Sequence, residues 1–200
     1  MTEWLGALLV SYLVGSIPTA YLVVKRLKRI DIRTVGSGNV GATNVARTAG
    51  KGAGAAVFAV DVAKGLIATL VIAPRLIDPA LPDARLACGV AAVIGHVFPV
   101  FLKFRGGKGV ATTIGILTGY APAIALLCGG VWLAIFLLWR YVSLASIVAL
   151  AVLPPALVLA HRSLTDVLLG SALAVLVIAK HRSNIQRLVQ GTEHRFSRGA

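Results

Sequence analysis

The chain has 200 residues, of which 58% are hydrophobic and 14% charged, and its mean hydropathy is +0.87. A water-soluble fold of this size has too little interior to hide so much apolar surface, so composition excludes an ordinary soluble enzyme and leaves lipid as the solvent. The net charge of +13 comes from 20 Lys+Arg against 7 Asp+Glu, and the basic residues sit between apolar runs, which fits the positive-inside rule and needs no nucleic-acid partner.

A membrane-crossing helix needs about 20 apolar residues. Trp4 to Val24 supplies the first; its acidic start, with no small-residue cleavage site behind it, reads as a retained helix and not a signal peptide. Gly52 to Ala73 supplies the second, interrupted by Asp61 and Lys64, and Leu86 to Leu102 the third. Val110 to Trp139 runs for 30 residues without a charge, too long for one span and short for two. Gly119-Tyr120-Ala121-Pro122 is a natural break within it, because proline has no N–H to donate and clashes with the preceding turn. Tyr141 to Ala160 and Ser163 to Ala179 complete the series. The expectation is an all-α integral membrane protein, one polytopic domain over residues 1–200, with seven spans near 4–24, 52–73, 86–102, 110–120, 122–139, 141–160 and 163–179.

Charge orients the spans. With the N-terminus outside, one face holds Lys25, Arg26, Lys28, Arg29, Arg33, Arg47, Lys51, Lys103, Arg105, Lys108, Arg140, Lys180, Arg182, Arg187, Arg195 and Arg198, which is 16 of the 20 basic residues. The other face holds Arg75, Arg85 and Arg162, and Lys64 lies within a span. That asymmetry predicts a cytoplasmic C-terminus.

Three polar segments border the predicted spans on the basic side. Gly36-Ser37-Gly38-Asn39-Val40-Gly41-Ala42-Thr43-Asn44-Val45-Ala46-Arg47 is glycine-dense and small. Glycines such as Gly38 and Gly41 let backbone N–H groups close on an anion; Ser37, Asn39 and Asn44 add neutral donors, and Arg47 a planar fork suited to phosphate. The second segment, from His96 to Thr112, contains Gly106-Gly107-Lys108-Gly109 at the start of a predicted helix, whose unpaired N–H groups suit phosphate. The third, His181-Arg182-Ser183-Asn184-Ile185-Gln186-Arg187-Leu188 to Glu193, follows the last span, where a basic tail on anionic lipid is the plain alternative. Asp61 and Lys64, three apart, share a helix face and read equally as a structural ion pair or the edge of a site. Cys88 and Cys128 lie in apolar runs and form no disulfide framework. No carboxylate or His/Cys cluster suits a metal, and neither a nucleophile elbow nor an H-x-x-x-x-D acyltransferase pattern is present.

The segments GSGNVGATNVAR, HVFPVFLKFRGGKGVAT and HRSNIQRLVQGTE resemble the three signature motifs of the PlsY family, the bacterial membrane acyl-phosphate:glycerol-3-phosphate acyltransferases, and DVAKG at 61–65 resembles a further family feature. Val40 stands where the family usually has Pro, and Arg105 where it often has Lys. The resemblance implies transfer of a fatty acyl group from acyl-phosphate to the 1-hydroxyl of sn-glycerol 3-phosphate, giving lysophosphatidic acid and phosphate, without acyl-CoA or acyl carrier protein. It implies a bacterial inner-membrane location, a site at the cytoplasmic face, no cofactor or metal, and no obligate protein partner. It also implies that Ser37, Arg47, Lys108, His181 and Asn184 line the polar pocket, joined by Ser143 or Ser146 and by Glu193. The rival readings are a transporter or channel for phosphorylated anions and an acyltransferase that uses acyl-CoA.

Overall fold

Every regular element among the described residues is helical. The computed structural model describes residues 2–78, 81 and 83–196; Arg198, counted above among the basic residues, lies outside them. The residues group into two compact units, 1–120 and 121–200.

In the first unit, α1 (Thr2–Ser16) and α2 (Thr19–Lys28) together form one 27-residue stretch apolar enough to cross a membrane. The sequence predicts an unbroken helix here, but the chain breaks at Ile17–Pro18. Pro18 cannot donate to the Val14 carbonyl, which instead accepts the Ile17 N–H at 3.3 Å. A 3₁₀ turn (Ile32–Thr34) and the short α3 (Ala42–Ala49) carry the chain to α4 (Lys51–Ile67). A π-helical turn, Ala68–Ile72, joins α4 to α5 (Ala73–Leu76); Pro74 follows at once and removes a donor that a regular α ladder would use. Then come α6 (Asp83–Val97), a 3₁₀ turn (Val100–Leu102) and α7 (Val110–Tyr120).

Glycines set the closest approaches between these helices. A Cβ on Gly15 or Gly95 would collide with backbone of α6 or α1 respectively, and one on Gly65 or Gly115 with backbone of α7 or α4. Small residues at helix contacts are the usual way to gain dispersion energy where lipid removes the hydrophobic drive. The α1–α6 and α4–α7 pairs thereby place the segment before α7 beside residues 61–64.

The second unit holds α8 (Pro122–Trp139), α9 (Val142–Leu159), α10 (Leu164–Ala179) and α11 (Arg182–Val189), with α9 packed against the other three. Pro122 occupies the first turn of α8, where its missing N–H costs nothing. Pro154 and Pro155 lie inside α9 without ending it. Ser163 caps α10, its hydroxyl accepting the Asp166 N–H at 3.1 Å. Among the described residues, five helical stretches are long and apolar enough to cross a membrane, and a sixth if α10 and α11, bent by 57°, count as one.

Candidate functional site

The first glycine segment is shaped by its own chain. Gly36 and Gly38 adopt φ of 60° and 68°, a conformation L side chains rarely adopt. The Asn44 side chain, 1% exposed on the first turn of α3, reaches back into the loop. Its Oδ1 accepts the Ser37 N–H at 3.0 Å, and its Nδ2 donates to the carbonyls of Val35 at 3.0 Å and Asn39 at 3.1 Å. Asn44, expected among the ligand donors, therefore has its polar atoms committed to the loop backbone. Ser37 and Arg47 are exposed; Gly41 is the N-terminal boundary residue of α3.

The second segment lies against His96, the last-turn residue of α6. Gly106 donates its N–H to the Val97 carbonyl at 3.2 Å and Gly107 to the His96 carbonyl at 3.1 Å. Neither position has room for a Cβ: at Gly107 it would meet the His96 ring and the Val40 carbonyl, and at Gly106 the His96 carbonyl and Pro99. Val40 belongs to the first segment, so the two glycine segments touch here. Lys108 is half-buried, and Gly109, with φ of 95°, precedes α7 and accepts the Thr113 N–H and hydroxyl, both at 2.9 Å.

A small cavity in this unit is lined by Asp61, Lys64, His96, Val40, Gly106 and Gly107, together with residues 15–20, Pro99 and Leu102. Lys64 Nζ donates to Asp61 Oδ1 at 2.7 Å and to the Ile17 carbonyl at 2.6 Å. Both side chains are almost wholly buried. Sequence reading left His96 out of the candidate set although it opens the second motif; its neighbours are evident only from the packing of α4, α6 and the glycine segment.

The second unit builds a different kind of centre, around Glu193. Its Oε1 accepts from Asn184 Nδ2 at 2.6 Å and Ser143 Oγ at 2.8 Å, and its Oε2 from Arg187 Nε at 2.7 Å. Burial would raise the Glu193 pKa, but the three hydrogen bonds and the Arg187 charge outweigh it and hold the carboxyl below the usual range. Arg187, unremarked at sequence level except as a basic residue, is thus part of the centre. Ser143 and Ser146, left open by the sequence, separate clearly. Ser146 Oγ donates to the Val142 carbonyl at 2.8 Å and accepts the Trp132 indole N–H at 3.2 Å, with no hydrogen bond to Glu193. His181 is 2% exposed, and its Nδ1 lies 2.8 Å from the Val177 carbonyl. Nδ1 therefore carries the hydrogen in the neutral ring, and Nε2 is the basic nitrogen.

Taken together these features define a class: a helical integral membrane protein with two glycine-built loops and a polar cluster organised by a half-buried carboxylate. The family model described as glycerol-3-phosphate acyltransferase matches residues 5–191. A glycerol-3-phosphate acyltransferase from Desulforudis audaxviator is 48% identical over 187 residues, covering 94% of this chain and 92% of that protein. One from Geotalea daltonii is 45% identical over 199 residues, covering 99% and 100%. The crystal structure of PlsY, an integral membrane glycerol 3-phosphate acyltransferase, in its glycerol 3-phosphate form superposes with a TM-score of 0.90 at 42% identity, covering 97% of this chain and 96% of that one. Its lysophosphatidic acid form gives 0.87 at 40% identity, covering 97% and 95%. The chain belongs to the glycerol-3-phosphate acyltransferase family, in its PlsY branch.

Proposed function

We propose that this chain moves a fatty acyl group from acyl-phosphate to the 1-hydroxyl of sn-glycerol 3-phosphate, releasing lysophosphatidic acid and inorganic phosphate, the first acylation of phospholipid synthesis. The observation that carries this reading is the likeness along nearly the whole chain to the solved PlsY structures in their glycerol 3-phosphate and lysophosphatidic acid forms, at 42% and 40% identity. The donor rests on the three motifs.

Under this proposal Ser37, Arg47 and Lys108 of the first unit hold phosphate, together with the backbone of Gly38, Asn39, Gly41, Gly106, Gly107 and Gly109. Asn184 and His181 of the second unit act on the acceptor, with Ser143 and Glu193 positioning Asn184. The Nε2 of His181 is a candidate acceptor for the hydroxyl proton; the phosphate of glycerol 3-phosphate, with a second pKa near 6, is another. In the transfer the acceptor oxygen forms a bond to the acyl carbon and the bond from that carbon to the phosphate oxygen breaks, so phosphate leaves with its electron pair. Phosphate is a good leaving group. Positioning and electrostatic stabilisation therefore supply most of the rate, with no acyl-enzyme and no cofactor.

The proposal places the protein in the bacterial inner membrane with seven crossings, the N-terminus outside and the site at the cytoplasmic face, because that arrangement keeps 16 of 20 basic residues inside. At 1.5 Å per residue, the 11 residues of α7 reach only about 16 Å, against a hydrocarbon core of about 30 Å. A seventh crossing thus requires the glycine segment before it to dip to membrane depth, where protein shields its backbone. The test is an assay of purified protein with labelled glycerol 3-phosphate and either acyl-phosphate or acyl-CoA. Labelled lysophosphatidic acid from acyl-phosphate alone is expected. Product from acyl-CoA would overturn the donor assignment, and no product from either would overturn the activity.

A further inference from the structure

The pair Asp61–Lys64 lies in an apolar helix, almost wholly buried. For stability alone such a pair is a poor investment, since apolar residues of similar volume do as well or better. What sets this pair apart is where its spare bonds go. Lys64 reaches the Ile17 carbonyl, an acceptor left outside the α-helical ladder by the break at Pro18. Asp61 Oδ1 stands 3.7 Å from His96 Nδ1, beyond hydrogen-bond distance but close enough for the charge to orient the ring. The far side of that ring meets Gly107 and, through it, the Val40 carbonyl of the first glycine segment. His96 also accepts the Gly107 N–H on its own carbonyl.

We infer that Asp61, Lys64 and His96 are positioning residues that set the register of the two glycine segments against each other, by bracing the His96 ring between the Asp61 carboxylate and the Gly107 backbone and anchoring the brace to the break in the first helix. They touch no reacting atom in this scheme. Their effect passes through the placement of the second segment's backbone N–H groups against the first, which Gly106, Gly107 and Gly109 cannot hold by themselves because glycine has the widest conformational freedom. The inference rests on the acyltransferase reading for its catalytic consequence only.

The test pairs a kinetic with a structural readout. In Asp61→Leu/Lys64→Met the charges are replaced together, so no lone buried charge is left to unfold the protein. His96→Ala removes the ring, and His96→Gln restores an amide of comparable reach. Nitroxide labels on Thr34→Cys, just before the first segment, and Lys103→Cys, just before the glycines of the second, both exposed positions, report their separation in a Cys88→Ala/Cys128→Ala background. Expected are a detergent-solubilised Tm near wild type, a KM for glycerol 3-phosphate about tenfold higher with kcat within about twofold, and a broadened label–label distance distribution. His96→Gln should recover part of the KM that His96→Ala loses. A folded double variant with wild-type KM and an unchanged distance distribution would overturn the inference, as would kcat and Tm falling together with KM unchanged. If the labelled protein with wild-type Asp61, Lys64 and His96 makes no lysophosphatidic acid, the acyltransferase reading fails. The distance measurement, which needs no substrate, still decides whether the brace sets the loops.

Discussion

The two glycine segments of the first unit and the Glu193 cluster of the second place polar groups by opposite means. The segments are made of backbone: their shape comes from positive φ at Gly36 and Gly38 and from approaches at Gly106 and Gly107 that no Cβ permits. The cluster is made of side chains: one carboxylate gathers Ser143, Asn184 and Arg187. A backbone-built site offers dipoles that do not titrate and tolerates almost no substitution. A side-chain-built site tolerates volume changes better, but its order depends on the charge of one group.

Four measurements break or sharpen that contrast. The largest effect is expected at the cations that supplement the backbone dipoles. Arg47→Ala and Lys108→Ala should each lower kcat/KM by about ten- to a hundredfold, the cost of a charge-assisted bond at about 1.5–3 kcal/mol, while the protein still inserts. Near-normal turnover in either would remove that residue from the phosphate site. Gly107→Ala comes next. Overpacking of this kind costs about 1–3 kcal/mol, and activity should drop by about tenfold because the Val40 carbonyl is backbone and cannot step aside. Wild-type kinetics there would mean the segment has slack that its contacts deny.

A smaller effect is expected within the cluster. Ser143→Ala removes a bond to Glu193 and should lower activity by about two- to tenfold, whereas Ser146→Ala should stay within about twofold. Reversal of that order would show that the bond to Trp132 matters more than the bond to Glu193. The smallest effect concerns acid. Since the folded Glu193 holds its proton less tightly than the unfolded chain, its contribution to stability is complete above about pH 4.3 and is lost as pH falls through its lowered folded value. Thermal unfolding of wild type and Glu193→Gln from pH 7 to pH 3 should show a Tm gap that is constant above that point and narrows below it. A gap that widens on acidification would contradict the hydrogen-bonding scheme.

The fold class and the family are legible in the sequence. Composition sufficed for a helical membrane protein, because apolar fraction alone decides the solvent, and three long motifs sufficed for the family. Pro122 marked a helix break because a proline at the first turn is a local event. Pro18 did not, because the apolar run around it continues unbroken and hydropathy is blind to one missing N–H. Motif residues were legible as types and not as roles. Asn44 looked like a donor for ligand, and only its bonding partners reveal a loop brace. Ser143 and Ser146 sit three apart on one helix, and which of them meets Glu193 depends on how residues 184–193 return to α9. His96, read only as the start of the second motif, stays outside the candidate site for the same reason, since its meaning comes from Asp61, 35 positions away, and from a glycine whose value is the side chain it lacks.

The Asn44 brace bears on how the protein is made. The Asn44 side chain bonds to Ile32, Val35, Ser37 and Asn39, all within twelve residues behind it. Contacts so close in sequence form quickly and need no distant partner. The first glycine loop can therefore take its shape once α3 has been made, and the glycine segment before α7 begins 57 residues after α3 ends (Ala49 to Gly106). The nascent chain would carry the first of its two glycine segments already moulded, and membrane assembly would have only to bring the second up to a finished template.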